Sequence, residues 1–141
     1  MTRDELKDIL PHREPMLLVD EAQLGEDGVA TAYYHVTGDE WFLKGHFPGN
    51  PVVPGVVLCE IMAQACAVIL ADELKGKTPY YTSIDIVRFK GMVKPGDTIV
   101  TTARLDKKRV PFYFTSAEAH VNGKLCAKAQ MSFAALEGQE G

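Results

Sequence analysis

The longest apolar stretch of the chain runs from Val56 to Ala71, and only Glu60 and Gln64 interrupt it. Because these two residues are four positions apart, they lie on one face of a helix that is otherwise apolar nearly all round. An unpartnered carboxylate there costs several kcal/mol, so the pattern predicts a functional use for Glu60. The alternative is a core helix whose Glu60 points to solvent. A membrane span is disfavoured because both polar residues interrupt the run.

The ends of this helix also have sequence signals. Pro54 suits a first turn, and Lys75 with Gly76 supplies a basic last turn and a stop. We therefore predict a helix over about Gly55 to Lys75. Gly55 lets a ligand approach the backbone, and the free N–H groups at the positive end of the helix favour an oxyanion.

Outside this helix, short alternating or β-branched segments separated by turn residues predict strands. The clearest turn is Asn122-Gly123, a two-residue hairpin signal, and Thr2 to Glu5 forms a capping box for a short helix. The predicted strands are Met16–Val19, Val29–Val36, Tyr80–Lys90, Thr98–Leu105, Phe112–Val121 and the alternating segment from Leu125 to Phe133. A basic connection, Asp106 to Val110, is predicted between two of them.

These elements predict an α+β fold in which a strongly curved antiparallel sheet wraps around one long helix. The chain has 141 residues, of which 46% are hydrophobic and 24% charged, with no linker or repeat. It is therefore predicted to form a single domain over residues 1–141.

Charge and cysteine content narrow the function further. A net charge of -4 without basic arms argues against nucleic-acid binding. The first ten residues lack the apolar region of a signal peptide, which predicts a cytoplasmic protein without a membrane anchor. Three cysteines without a C-x-x-C motif predict neither a disulfide framework nor a zinc site.

Among the four histidines, His46 is the candidate for chemistry. It lies between Gly45 and Phe47-Pro48, fourteen residues before Glu60, with a bend rich in proline and glycine between them. His35 and His120 are interpreted as surface residues. The alternative for His46 is a histidine bonded to a loop carbonyl.

An imidazole and a partly buried carboxyl group near a helix N-terminus form a plausible general base and general acid with an oxyanion site. That set suits proton removal next to a carbonyl group. Serine-hydrolase, phosphate-loop and dinucleotide motifs are absent from the sequence, and so is metal-binding histidine spacing. We therefore predict no metal and no cofactor.

Eight motifs occur in order along the chain: Leu10-Pro11-His12-Arg13, Leu17-Leu18-Val19-Asp20, Gly45-His46-Phe47-Pro48-Gly49, Pro51-Val52-Val53-Pro54-Gly55, Glu60, Met62-Ala63-Gln64-Ala65, Arg88-Phe89-Lys90 and Pro95-Gly96-Asp97. Together they resemble the FabZ-type 3-hydroxyacyl-acyl carrier protein dehydratases, over about Leu10 to Ala134. Glu60, where the related FabA type has aspartate, favours the FabZ type. The segment Trp41 to Lys44 departs from the aromatic pair of that family.

The resemblance implies a hot-dog fold and removal of water from a (3R)-hydroxyacyl chain on acyl carrier protein, giving the trans-2-enoyl thioester in fatty acid synthesis. It implies that His46 is the catalytic histidine, Glu60 the catalytic acid and the Gly55 N–H a donor to the thioester oxygen. It also implies homodimers, with the histidine of one subunit facing the helix of the other, and in some members hexamers built as trimers of dimers.

The residues themselves add four expectations to this resemblance. An apolar helix raises the pKa of Glu60 and keeps it able to donate a proton. Gln64 orients the Glu60 carboxyl group, or alternatively is a neutral helix residue bonded elsewhere. An apolar tunnel along the helix holds the acyl tail, and the candidates for its wall are Ile61, Met62 and the strand facing the helix. A basic rim for acidic acyl carrier protein is formed by one of two groups of cations, either Arg88, Lys90 and Lys94 or Lys107, Lys108 and Arg109.

Three alternatives for the activity stay open at this point. The first is a dehydratase that also isomerises the double bond, as the FabA type does. The second is a hot-dog thioesterase, which releases a free acid, and the third is a non-catalytic sensor of acyl thioesters.

Overall fold

The computed structural model describes residues 1–44, 49–71 and 77–137. Within them lie two α-helices, a 3-10 helix at Trp41–Leu43 and six strands. In chain order these are α1 (Arg3–Leu6), β1 (Glu21–Leu24), β2 (Ala30–His35), the 3-10 helix, α2 (Gly55–Ile69), β3 (Lys77–Phe89), β4 (Thr98–Arg109), β5 (Phe112–Val121) and β6 (Lys124–Glu137). The capping box predicted for α1 is confirmed, since Thr2 and Glu5 bond each other's backbone N–H groups.

The six strands form one sheet in the order β1-β2-β4-β5-β6-β3, and every neighbouring pair is antiparallel. The β5–β6 hairpin turns at Asn122-Gly123, and both residues have positive φ, as this two-residue turn requires. Strand β3, which follows α2 in the chain, lies at one edge of the sheet, where β6 is its only partner among the described residues. Helix α2 therefore connects β2, near one edge of the sheet, to β3 at the opposite edge.

Helix α2 lies against one face of this sheet and contacts β1, β2, β4, β5 and β6. Its buried residues include the run from Ile61 to Val68, in addition to Val57 and Leu58. An apolar helix of this kind is stable in water only when it is covered on most sides. The predicted architecture, a curved antiparallel sheet around one long helix, is confirmed.

The predicted start of the central helix at Gly55 is confirmed, but its predicted end at Lys75 is wrong. The helix ends at Ile69. The next two amides, of Leu70 and Ala71, bond carbonyls only three residues earlier, so the last turn tightens and the helix stops. Lys75 and Gly76 lie outside the described residues. No helix within the described part of the chain is long and apolar enough to cross a membrane.

The prediction of a strand at Met16–Val19 is also wrong. Leu17, Leu18 and Val19 are buried, as their apolar character indicates, but the first strand begins only at Glu21. The backbone N–H and C=O groups of this segment are bonded by side chains and not by a neighbouring strand. The Arg3 guanidinium donates to the carbonyls of Leu17 and Val19, and an amide side chain of α2 bonds Met16 and Leu18.

The basic segment predicted as a connection, Asp106 to Val110, belongs mostly to strand β4. Lys107, Lys108 and Arg109 pair with the aromatic residues at the start of β5, after a bulge that follows Leu105. Cross-strand aromatic partners favour continued pairing, and long cationic side chains cover them while their charges stay in water. The connection is therefore the short turn at Val110-Pro111.

Candidate active site

Glu60 lies in the second turn of α2, on the side of the helix that faces the start of β3. Its side chain is 20% exposed, and three polar groups surround its carboxyl group. The Tyr81 hydroxyl donates to Oε1 at 2.8 Å, and the Gln64 amide donates to Oε2 at 2.9 Å. His12 Nε2 lies 3.3 Å from Oε2. The structure therefore excludes the alternative in which Glu60 simply points to solvent.

Gln64 is completely buried and uses both ends of its amide group. Its Oε1 accepts the Leu18 N–H at 2.8 Å, while its Nε2 donates to the Met16 carbonyl at 2.8 Å and to Glu60. One side chain thus fastens the N-terminal segment to the helix and at the same time holds the carboxyl group. The two interpretations of Gln64, a residue that orients Glu60 and a residue bonded elsewhere, both describe part of what it does.

Opposing effects set the pKa of Glu60. Burial on its own raises this pKa, but the hydrogen bonds from His12, Gln64 and Tyr81 stabilise the carboxylate. The net pKa of Glu60 lies below its ordinary value. The expectation of a raised pKa is therefore wrong for the single chain, because the apolar sequence around Glu60 does not reveal the donors that other segments bring to it.

The N-terminus of α2 is open at its first turn. Pro54 is the N-cap and makes no side-chain capping bond, and within the described residues no hydrogen bond is formed by the N–H groups of Gly55 and Val56. The Phe89 ring fills the space beside Gly55, since an added Cβ would lie 3.0 Å from Phe89 Cζ. The predicted oxyanion donor at Gly55 thus lies about one and a half helical turns before Glu60, and its N–H makes no hydrogen bond within the described residues.

His46 lies outside the described residues, together with its neighbours at 45, 47 and 48. Its predicted place opposite Glu60 therefore stays a prediction. Of the two histidines interpreted as surface residues, His35 is exposed on β2 and bonds Thr98. His120 is partly exposed, and its Nε2 lies 3.8 Å from a carboxylate oxygen of Glu118.

A small cavity lies beside Glu60, with a volume of about 40 Å³. This is about the volume of one water molecule and is too small for an acyl chain. Strand β3 borders this cavity through Pro79 and Tyr81, as expected for the strand facing the helix. The helix candidates for the wall, Ile61 and Met62, are wrong, because they are 2% and 0% exposed and pack into the core. The opposite helix face borders the cavity instead, and the lining residues are His12, Glu60, Ala63, Ala67, Pro79, Tyr81 and Phe133.

Two site residues were not identified as such from the sequence. In the sequence, His12 belongs to the motif Leu10-Pro11-His12-Arg13 and Tyr81 to a predicted strand, and neither pattern indicates a role at the site. Tyr81 is 21 residues from Glu60 along the chain, so no local spacing predicts their contact. The sequence did contain one indication of this contact. The strand that follows the helix runs back along it, so residues early in that strand can reach the helix face that carries Glu60.

Comparison with known families and proteins places the chain among acyl-chain dehydratases. Residues 10–130 match the family model for the FabA-like domain. The chain is 45% identical over 136 residues to 3-hydroxyacyl-acyl-carrier-protein dehydratase FabZ of Clostridium perfringens (strain SM101 / Type A), covering 95% of this chain and 98% of the relative. The protein of the same name from Oenococcus oeni is 43% identical over 136 residues, with coverages of 94% and 98%.

Solved structures show the same fold at low sequence identity. A chain of the dehydratase heterocomplex ApeI:P from Xenorhabdus doucetiae has a TM-score of 0.78 at 21% identity, with coverages of 92% of this chain and 90% of that one. The PaaI protein from the phenylacetic acid degradation operon of Escherichia coli has a TM-score of 0.65 at 17% identity, with coverages of 81% and 81%. The predicted hot-dog fold is confirmed.

Replacing Gln64 with leucine tests its structural role. Gln64→Leu removes the partner of the buried Leu18 N–H and of the part-buried Met16 carbonyl, so we expect a loss of about 2 to 5 kcal/mol in the free energy of unfolding. Urea denaturation followed by circular dichroism measures it. The matched control is Gln23→Leu, at an exposed position of β1. It is expected to change the free energy of unfolding by less than about 0.5 kcal/mol. Equal losses in both variants would contradict this role.

Proposed function

We propose a catalytic mechanism from the premise that the chain belongs to the FabA-like family and, within it, to the FabZ dehydratases. The protein is a 3-hydroxyacyl-acyl-carrier-protein dehydratase, a hydro-lyase of fatty acid synthesis. Its substrate is an acyl chain carried on acyl carrier protein. The proposal concerns which residues act, how the site is completed and where the carrier protein docks.

The reaction removes a proton from C2 and a hydroxyl group from C3 of the acyl chain. In the proposed mechanism the His46 imidazole takes the C2 proton and Glu60 gives a proton to the departing C3 hydroxyl group, which leaves as water. The electrons of the C2–H bond form the C2=C3 double bond. Negative charge develops meanwhile on the thioester oxygen, where the Gly55 N–H at the positive end of α2 stabilises it.

The single observation that carries this proposal is the position of Glu60. A carboxyl group that is only 20% exposed, borders a cavity and lies about one and a half turns from an open helix N-terminus has the place that an acid catalyst requires. Gln64 orients the carboxyl group from the next turn of the same helix.

Glu60 must hold a proton when water leaves, although its pKa in the single chain is lowered. Two events on the way to the reactive complex act in the opposite direction. A bound acyl chain and a second copy of the protein both remove water from the cavity, and loss of water raises the pKa of a carboxyl group. We infer that Glu60 becomes able to donate its proton only in the assembled, loaded site.

Replacing each proposed catalytic residue tests the mechanism. We expect His46→Ala and Glu60→Gln each to lower the rate of enoyl thioester formation by about 10²- to 10⁴-fold, since each loses a proton-transfer group. The assay incubates the purified protein with 3-hydroxybutyryl-acyl carrier protein and follows ultraviolet absorbance of the product. His35→Ala, an exposed histidine on β2, is the control and is expected to retain the rate.

The products distinguish the other activities in the same assay. A thioesterase releases free acid, an added isomerase moves the double bond of the enoyl product, and a sensor binds the thioester without converting it. Full activity in both His46→Ala and Glu60→Gln would contradict the proposed roles.

The edge of the sheet favours assembly with a second copy. The outer edge of β3 pairs with no strand in the described chain, and several large apolar residues on it are exposed: Tyr80, Tyr81, Ile84, Ile86 and Phe89. An exposed apolar edge strand is a template for another strand. We propose that β3 of one subunit pairs antiparallel with β3 of its partner about a two-fold axis.

This arrangement also completes the site. Tyr81 on the same strand contacts Glu60, so the partner subunit arrives next to the carboxyl group. The small cavity of one chain widens into an acyl tunnel when the second copy supplies the opposite wall and its own His46. We propose that three such dimers associate into a hexamer.

A charge on the edge strand tests this interface. Ile84→Lys is expected to shift the protein to the 15.5 kDa monomer, because a lysine on an edge strand opposes pairing. Sedimentation equilibrium gives the mass. The control is Leu24→Lys, an equally exposed leucine on the opposite edge strand β1, where the wild-type assembly should persist. A monomeric wild-type protein, or the reverse behaviour of the two variants, contradicts the interface.

One of the two candidate basic rims lies at the open helix end. The Phe89 ring packs beside Gly55, and the Val53 N–H bonds the Val93 carbonyl, so Lys90 and Lys94 flank the N-terminus of α2. The other group pairs with the start of β5. Through β6 it lies level with β3 residues between Tyr80 and Ser83, which are about 20 to 30 Å from Phe89 along that strand. We propose that Lys90 and Lys94 receive the acidic carrier protein.

Charge reversal distinguishes the two rims. Lys90→Glu combined with Lys94→Glu is expected to raise the KM for carrier-bound substrate about tenfold, because the carrier protein is repelled, and to leave the KM for a short thioester analogue unchanged. Lys107→Glu combined with Arg109→Glu is the matched control. Equal effects on both substrates would show that the rim assignment is wrong.

We also propose that the protein acts in the cytoplasm, the location predicted from the sequence.

A further inference from the structure

Tyr81 is held in place by its cross-strand partner. It lies opposite Phe133 in the β3–β6 register, and the two rings pack with centroids 5.4 Å apart at an interplanar angle of 34°. Although Tyr81 is 45% exposed in the single chain, its hydroxyl group points to the Glu60 carboxyl group. Aromatic packing therefore fixes the ring, and the ring fixes the direction of the hydroxyl group.

An irregularity in β3 directly after Tyr81 fixes it further. The register between β3 and β6 shifts between Tyr81 and Ser83, so Thr82 and Ser83 both lie against the single residue Ser132. Their hydroxyl oxygens are 2.5 and 2.6 Å from the Ser132 hydroxyl oxygen. Ser132 is buried, which makes this cluster a firm attachment of the bulge. Bulges of this kind commonly re-aim a neighbouring side chain.

The two oxygens of Glu60 are held by different parts of the fold. Oε2 is bonded from the helix by Gln64 and lies near His12, whereas Oε1 is bonded only by Tyr81 within the described residues. Without Tyr81 the carboxyl group keeps one attachment and is free to turn about it. We propose that Tyr81 is a positioning residue for the dehydration: it fixes Glu60 Oε1 from the sheet and so sets the direction in which Glu60 meets the C3 hydroxyl group.

This inference rests on the proposed role of Glu60 as the proton donor, and it adds the residue that aims it. A carboxylate accepts about four hydrogen bonds. Tyr81, Gln64 and His12 take three of these positions, so one direction is left for the substrate. Burial, followed by the nearby Glu60 carboxylate, raises the pKa of Tyr81 and keeps its hydroxyl group a donor.

The groups that face Glu60 come from three directions. The titratable ones in the described part of the chain are His12 on the N-terminal segment, Tyr81 on β3 and Cys59 on α2. Phe133, on β6, contributes only hydrocarbon. Of these, Tyr81 is the residue whose hydroxyl group can be removed without changing any charge, and its removal leaves Oε1 without a hydrogen bond from the described residues.

The test compares Tyr81→Phe with wild type across pH. Removing the hydroxyl group withdraws a hydrogen bond that stabilises the Glu60 carboxylate, so the pKa of Glu60 rises. Because Glu60 acts as the proton donor, its loss of a proton appears as the alkaline limb of the kcat/KM profile, where activity falls as pH rises, and this limb is therefore expected to move to higher pH. In addition, kcat falls about tenfold while KM stays within about twofold, as for an interaction used in the transition state.

Tyr33→Phe is the matched control, since β4, β5 and β6 separate its strand β2 from β3. It is expected to keep the wild-type profile. Thermal unfolding shows whether each variant is folded. If Tyr81→Phe does not fold, Ser132→Ala takes its place, because Ser132 fastens the bulge that aims Tyr81, and the same shift is expected.

The outcomes separate this inference from the mechanism on which it rests. If wild type forms no enoyl thioester, or if Glu60→Gln is fully active, the proposed function fails. If wild type is active and depends on Glu60, but the folded Tyr81 variant keeps the wild-type alkaline limb and kcat, the positioning role alone is overturned.

Discussion

The site depends on one electrostatic constraint, which is that a largely buried carboxylate must be bonded on both of its oxygens. Glu60 lies in a helix whose other faces are covered by the apolar side of the sheet. Without partners it would be strongly disfavoured there. Two segments that are distant in sequence bring His12 and Tyr81 to it, Gln64 adds a donor from the same helix, and these donors hold the pKa of Glu60 below the ordinary value.

Gln64 links this constraint to the fold as a whole. The same amide that bonds Glu60 also bonds the backbone at Met16 and Leu18. The N-terminal segment therefore follows a path set by a helix side chain and by Arg3, not by strand pairing. That path brings His12 next to the carboxyl group. Stability and site geometry share the same hydrogen bonds, so a change in one is expected to change the other.

Strand β3 has two roles that act at the same place. Its inner side supplies Tyr81 to Glu60, while its outer edge exposes backbone groups and apolar side chains. In one chain the cavity beside Glu60 has a volume of about 40 Å³, too small for an acyl chain. A site built against an unpaired edge can be enlarged by whatever pairs with that edge. This is a physical reason for an active site to depend on assembly.

The sequence by itself determined the central helix start at Gly55, the Asn122-Gly123 hairpin and the need of Glu60 for partners in an otherwise apolar helix. These features follow from local rules, namely helix capping, turn geometry and the cost of a charge in an apolar run. The family resemblance added the fold and the reaction. Only the tertiary structure decided the partners of Glu60, the path of Met16 to Val19 and the helix face that borders the cavity. These depend on contacts between residues far apart in the chain, such as Glu60 with Tyr81, and the periodicity of either segment does not encode where the other will lie.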